Sequence, residues 1–453
     1  MKSLFLLLFC AFATTVAFAQ PQPVHRCATH EVFEQNASRN PGYAAAVEHA
    51  FNYAQSFAQN RAAFKAEEDT VFRIPVVVHI VYNTTEQNID DSLVYSQIEV
   101  LNQDYRRLNA DTGNTRDVFK PVAADAGIEF FLATEDPQGN PTTGITRTPT
   151  DTTFFSVIGN ILSGDTSNGA DLVKKTATGG IDAWDTDNYL NIWVCNLEDP
   201  NSFFGLVLGF SYPPDNAPNW PAEAFPADSS LHGLVIHYKV FGRNNPLAVP
   251  PLDMATRGRT VVHEVGHFLG LRHIWGDGPL SIIMPDCSVD DGIGDTPNSG
   301  NNSQQAGCDT TKNTCTEGSP DLPDMFENYM DYSREECQNI FTQGQVAIMR
   351  AMLSTSRSEL PVSEAPSAIH ASYSEIEMRL YPNPADGEVR IHFPQNANVH
   401  EITVSDLLGK TQQQFRFVSG NDFTLDLSAL PSGIYTVTAL SESGRAVRKV
   451  LLD

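Results

Sequence analysis

Between Phe72 and Tyr82 the chain is almost wholly apolar and β-branched: Ile74, Val76, Val77, Val78, Ile80 and Val81 fall within eleven positions. A short continuous run of this kind is the pattern of a strand buried on both faces. Apolar residues next recur at helical spacing over Ser92 to Leu108, with Ile98, Leu101, Tyr105 and Leu108 on one face. Further strand patterns lie at Ile128 to Leu132, Leu190 to Leu197, Gly205 to Tyr212 and Gly233 to Tyr238. Nearer the start, Ala44, Val47, Ala50, Phe51, Ala54 and Phe57 keep a helical period after an irregular beginning. Strands interleaved with helices predict an α/β unit, a twisted mixed sheet with helices behind it.

Beyond residue 357 the pattern changes. Residues 358–377 are rich in Ser, Ala, Pro and Glu without a long apolar period and read as a linker. From Met378 to Asp453 short alternating runs predict a small C-terminal β-sandwich: Val389 to Phe393, Glu401 to Val404, Phe423 to Leu427, Ile434 to Val437 and Val447 to Leu452. Turns are expected at Pro384 to Gly387, Leu408 to Lys410 and Pro431 to Gly433.

A chain of 453 residues exceeds one ordinary core, so two or three domains are expected. Its 29 Lys and Arg against 55 Asp and Glu leave a formal charge of −26. That balance argues against nucleic acid and anionic membrane surfaces as partners. A basic Met1-Lys2, an apolar run from Leu4 to Phe12 and Ala17-Phe18-Ala19 make a secretory signal peptide, with cleavage expected after Ala19 and no stretch suited to span a membrane. Cys10 lies inside that segment, which leaves six cysteines. Cys287, Cys308, Cys315 and Cys337 cluster late and in an oxidising compartment read as two disulfides. Three pairings are open, and spacing does not choose among them.

The chemistry is concentrated at His263-Glu264-Val265-Gly266-His267-Phe268-Leu269-Gly270-Leu271-Arg272-His273. Two histidines four apart on a helix leave by the same face and can meet one ion. Gly270 can adopt φ > 0, end the helix and bring His273 round as a third ligand. Three nitrogens leave one position open, the mark of a catalytic zinc site. Zinc would lower the pKa of bound water to roughly 7, and Glu264 is placed to act as general base. His79, His232 and His237 each sit singly on a strand pattern and read as core or surface histidines.

The extended motif is that of metzincins, which carry a methionine turn downstream. Met330, in Asn328-Tyr329-Met330-Asp331-Tyr332, supplies it. With Cys337, Phe341-Thr342 and Gly344-Gln345 following, residues 70–355 resemble the pappalysin family of metzincins. The resemblance implies a metzincin-like catalytic domain with zinc in its cleft, bordered by the strand of Gly205 to Tyr212. It implies Met330 as a floor under the histidines and Tyr332 as a stabiliser of the tetrahedral intermediate. It implies the pairs Cys287–Cys315 and Cys308–Cys337, which leave Cys27 and Cys195 unpaired. It favours calcium in the polar stretch between His273 and Met330, with Asp291 and Asp295 as ligands. It supports Cys27, in Arg26-Cys27-Ala28-Thr29, as a thiolate that closes the open zinc position until a pro-segment is removed; Ala28 stands where the family often has glycine. It also places Glu335 in the pocket for the residue after the cut bond, implying cleavage before Arg, or Lys, and self-processing before Arg61 or Lys65.

The C-terminal block resembles the sorting domain of the type IX secretion system at Leu380-Tyr381-Pro382-Asn383-Pro384, Asp406 to Lys410, Leu430 to Tyr435 and Lys449 to Leu452. The expected order is a signal peptide (1–19), a pro-segment (20–64), a catalytic domain (65–357), a linker (358–377) and a sorting domain (378–453). Protein or peptide substrates and the secretion machinery are the expected partners. Two rival readings differ in class: a protease-like binding protein without activity, against which Glu264 argues, and an adhesin acting through the sandwich.

Overall fold

The structure, a computed structural model, describes residues 23–59, 70–157, 169–200, 202, 205–216, 228–277, 284–362, 374–375, 377–393, 399–405, 411–416, 421–441 and 444–452. The signal peptide, Arg61, Lys65 and the Asp406 to Lys410 motif lie outside them. The chain divides into two compact units, Met1–Ala365 and Pro366–Asp453.

The first unit is built on β2 (Phe72–Tyr82), whose residues from Ile74 to Val81 are all buried. It pairs in parallel with β4 (Ile128–Leu132), β5 (Ile145–Pro149) and β6 (Leu190–Cys195). Next to β6 lies β9 (Leu234–His237), also parallel, and the antiparallel β8 (Gly209–Ser211) forms the edge. This is the expected mixed sheet. The run from Gly205 to Tyr212 is not one strand, however: it breaks at Leu208 into β7 (Leu206–Val207) and β8. The break frees the two halves for different partners. β8 joins the sheet, and β7 pairs in parallel with β1 (Val24–His25) of the N-terminal segment.

Helix α3 (Asp91–Tyr105) starts where the Asp90 side chain accepts from Ser92 N, a standard N-cap. It stops three residues short of the expected end. Arg107 takes a left-handed φ of 48° and turns the chain away, so Leu108, expected on the buried face, is 72 % exposed. Helix α4 (Arg259–Phe268) carries the first two histidines and packs on β8, β9 and α3. A separate antiparallel pair, β3 (Ala123–Ala124) and β10 (Phe341–Thr342), leads into helix α5 (Gln343–Ser354), which opens with a capping box between Thr342 and Gln345. The N-terminal helices α1 (Thr29–Arg39) and α2 (Pro41–Gln59) pack onto this unit, with Ala50 and Ala54 of α2 buried against Ala351 and Met352 of α5. Leu360 is buried and Val362 N donates to Arg73 O at 2.9 Å, so packed structure of this unit runs through Val362.

Between Trp275 and Asn328 the described chain has turns but no long element, and side chains hold it together. Disulfides join Cys287 to Cys315 and Cys308 to Cys337, the pairing implied by resemblance. Cys27 and Cys195 are free and buried.

The second unit has two sheets around its own core. One runs β11 (Ser374–Glu375), β18 (Gly444–Leu452), β17 (Gly433–Ser441), β14 (Val399–Ser405), β15 (Thr411–Arg416). The other runs β12 (Arg379–Tyr381), β13 (Glu388–His392), β16 (Asp422–Asp426). Val389, Ile391, Ile402, Val404, Leu425, Val437 and Val450 fill the space between as one buried cluster, as a sandwich requires.

Candidate metal centre

Helix α4 is buried over all ten residues, so its first amides need acceptors from elsewhere. Gly258, left-handed at φ 76°, offers no side chain. Glu335 does this work from across the fold. Its Oε1 accepts from Thr260 N at 2.6 Å and Thr260 Oγ1 at 2.9 Å, and its Oε2 accepts from Arg257 N at 2.6 Å. At the other end Gly270 takes φ 88°, and Leu271 N donates to Gly266 O at 2.9 Å, which reverses the chain towards His273. A Cβ on Gly266 would overlap Met330 Sδ, so the helix rests directly on that methionine.

The three imidazoles converge. His263 Nε2 lies 3.1 Å from His267 Nε2 and 3.2 Å from His273 Nε2, and the last two are 3.1 Å apart. These are not hydrogen bonds. Each Nδ1 faces an acceptor: Tyr329 O at 2.7 Å, Leu271 O at 2.9 Å and Asp277 Oδ1 at 2.5 Å. A carbonyl takes only a donor, so the Nδ1 atoms carry the protons and the Nε2 lone pairs point at one another. Burial, together with the neighbouring imidazoles, depresses His263 far below the ordinary histidine range and His267 to about 3, which keeps both rings neutral. Lone pairs so opposed need a cation among them. Tetrahedral zinc with Zn–N of about 2.0–2.1 Å would set nitrogens roughly 3.3 Å apart, and the donor set therefore fits such an ion.

The N-terminal segment reaches into this centre. Main-chain bonds run from Leu206 N to Pro23 O at 2.8 Å, Leu208 N to His25 O at 3.0 Å and Ala28 N to Gly209 O at 2.9 Å. They bring Cys27 to the imidazoles: its Sγ and the three ring nitrogens all lie within 4.8 Å of one another. Burial, then the Glu264 carboxylate, pushes the Cys27 thiol well up; a divalent cation held by the imidazoles would oppose that shift. Tyr332, its ring edge-on to His273 at 4.9 Å, donates its hydroxyl to Cys27 O at 3.0 Å. Thr29 Oγ1 donates to Glu264 Oε2 at 2.9 Å and accepts from Ser211 N at 2.8 Å. Burial raises the Glu264 carboxyl to about 8.

Arg26, 4 % exposed, points towards Glu335. Its Nη1 donates to Tyr332 O at 3.3 Å and to Ser333 O, and its Nη2 lies 3.7 Å from Glu335 Oε1. Arg26, Thr29 and Asp277 were not singled out by sequence reasoning. The adjacency of Arg26 to Cys27, with a carboxylate expected in the pocket, was a usable signal for the first. Thr29 closes the Arg26-Cys27-Ala28-Thr29 motif, and nothing marked Asp277.

Asp291 and Asp295 lie elsewhere. Asp291, 1 % exposed, accepts from Ile293 N and Thr296 Oγ1. Asp295 accepts from Thr342 Oγ1 at 2.7 Å and Gly344 N at 2.8 Å, at the start of α5. Among the described residues only the Cys27 and triad group gathers three or more His, Cys, Asp or Glu donors within metal-binding reach. His79, His232 and His237 are buried in other hydrogen-bonded or ionic settings.

Residues 247–354 match the family model described as pregnancy-associated plasma protein-A, and residues 379–453 match the secretion system C-terminal sorting domain. An extracellular metalloprotease of Arthroderma benhamiae is 27 % identical over 272 residues, which cover 60 % of this chain and 74 % of that protein. Among solved structures, a Tannerella forsythia promirolysin mutant is 40 % identical, with TM-score 0.60 over 74 % of this chain and 96 % of its own. Mature mirolysin of the same organism in complex with a cleaved peptide is 44 % identical, with TM-score 0.53 over 65 % and 97 %. Fold, histidine triad and relatives define a secreted metalloprotease. The chain belongs to the pappalysin family and carries a type IX secretion sorting tail. No helix among the described residues is long and apolar enough to cross a membrane.

Proposed function

We propose that this is a zinc endopeptidase made as a latent precursor, with His263, His267 and His273 holding the ion and Cys27 closing its fourth position. The observation that carries the reading is the four-donor cluster, one donor of which comes from the N-terminal segment. Bound zinc supplies a Lewis acid and a water of lowered pKa. Glu264, beside the first ligand, takes the proton of the attacking water and passes it to the leaving amine. The Tyr332 hydroxyl, once released from Cys27 O, is free to donate to the oxyanion that develops on the peptide. Met330 supports the triad from below and does no chemistry.

Residues 20–64 act as the pro-segment in this reading, and removing them uncovers each group at once. The contacts of Cys27, Thr29 and Arg26 support it: they engage the triad, the base and the pocket respectively. Glu335 gives the pocket its preference for Arg, and less strongly Lys, on the C-terminal side of the cut. Arg26 rests near that carboxylate as such a side chain would. The remaining boundaries follow the expected order of signal peptide 1–19, catalytic domain 65–357, linker 358–377 and sorting domain 378–453, with the linker shortened at both ends because Leu360 and Val362 pack with the first unit and Ser374–Glu375 pairs within the second. Calcium at Asp291 and Asp295 belongs to the same proposal; burial raises the Asp291 carboxyl to about 8, and a bound cation would favour its ionised form.

Four outcomes are expected. Profiling the processed enzyme on a peptide library should give cuts before Arg and Lys, and Glu264→Ala should lose roughly 10²–10⁴-fold in rate while keeping its zinc. Equal cutting before acidic, apolar and basic residues would remove the pocket assignment, and an active mutant would remove the base. The full chain carrying Cys27→Ala should cleave peptides before any processing; a latent mutant would count against the thiolate. Added calcium should raise the melting temperature of the parent and not of Asp291→Asn, and an equal response in both would dismiss that site.

A further inference from the structure

The three ring Nδ1 atoms are not held alike. Those of His263 and His267 face backbone carbonyls, Tyr329 O and Leu271 O, which come with the fold whatever the side chains. His273 Nδ1 faces a side chain, Asp277 Oδ1, at 2.5 Å. His273 is also the ligand outside helix α4, on the loop that follows Gly270. It is therefore the ligand with least help from regular structure. We propose that Asp277 is a positioning residue of the metal centre, fixing the His273 tautomer and aiming its Nε2 at the other two. The inference rests on the metal-centre reading above and extends it to a residue that makes no contact with the ion.

The loop is shaped for this contact. Gly276 and Asp277 are consecutive left-handed residues, with φ of 67° and 53°. At Gly276 a Cβ would overlap the backbone of Asp290, so the close approach needs glycine there. Aspartate is among the few residues that enter the left-handed region readily. Gly276 N donates to His273 O at 2.9 Å, which closes the turn and carries the carboxylate back under the ring. Trp275 lies flat on His273, with centroids 4.3 Å apart and planes 7° from parallel. The stack sets the plane of the imidazole, and the carboxylate sets its rotation within that plane. Two constraints on different axes leave the ring one orientation. A carboxylate behind a ligating histidine also strengthens the nitrogen as a donor, and losing such a partner typically costs 10–100-fold in metal affinity.

The test uses the full chain as parent, Asp277→Asn and Asp277→Ala, stripped of metal and titrated with Zn²⁺ against a chromogenic chelator. Each metal-free protein is also melted. Asp277→Ala should bind zinc about 10–100-fold more weakly. Asp277→Asn should fall between it and the parent, because its side-chain oxygen still accepts from Nδ1–H without the charge. Metal-free melting should be the same in all three. Affinities equal to the parent would overturn the inference, as would a metal-free melting temperature that falls in step with affinity, since that would make Asp277 a prop for the loop. A parent that takes up no zinc would instead overturn the metal-centre reading and this inference with it.

Discussion

Three imidazole Nε2 atoms face one another at 3.1–3.2 Å, each ring with its Nδ1 already bonded elsewhere. Without a cation that arrangement is repulsive, because each ring presents a lone pair and each Nδ1 proton is already spent on a carbonyl or carboxylate. The fold holds it in place by several independent means. Helix α4 is buried on every side, Glu335 accepts from Thr260 N in its first turn, Gly270 turns the chain after it, and Met330 lies against Gly266. Such over-determination is what a preorganised metal site requires, since the ligands must wait in geometry that the chain would not choose by itself.

Glu335 links two parts of the molecule. It serves as the acceptor for the start of the histidine helix and also stands 3.7 Å from the Arg26 guanidinium. One carboxylate thus touches both the start of the ligand-bearing helix and the N-terminal segment. The N-terminal segment makes contacts along its length: main chain on β7, Cys27 at the triad, Thr29 at Glu264, and the Cys27 carbonyl accepting from the Tyr332 hydroxyl. A segment that makes so many contacts together is held by their sum rather than by any one of them.

What was readable in the sequence follows from range. His263, Glu264, His267, Gly270 and His273 lie within eleven positions, so one helix brings the first three together and the left-handed turn at Gly270 returns His273 to them. The buried strand Phe72–Tyr82 and the α/β order were legible for the same reason: periodicity is a local signal. Met330 was found by its place in a motif. Other features depend on contacts across hundreds of residues. Arg26 meets Ser333 at a separation of 307, and Thr29 meets Glu264 at 235; no periodicity encodes either. Local misses have local causes. Leu108 fits the helical stripe of α3, but Arg107 turns left-handed before it. Leu208 fits the strand from Gly205 to Tyr212, but the two halves pair with different neighbours. In the C-terminal unit β15, Thr411–Arg416, is mostly polar and carries little apolar alternation, so pairing with β14 rather than composition makes it a strand.

X-ray absorption at the zinc edge on the full-length, unprocessed chain tests the centre most directly. The expected spectrum has three nitrogen neighbours at about 2.0–2.1 Å and one sulfur at about 2.3 Å, with the sulfur replaced by a light atom once the N-terminal segment is removed. Zinc with no sulfur neighbour in the unprocessed chain, or with fewer than three imidazole nitrogens in either form, would contradict it.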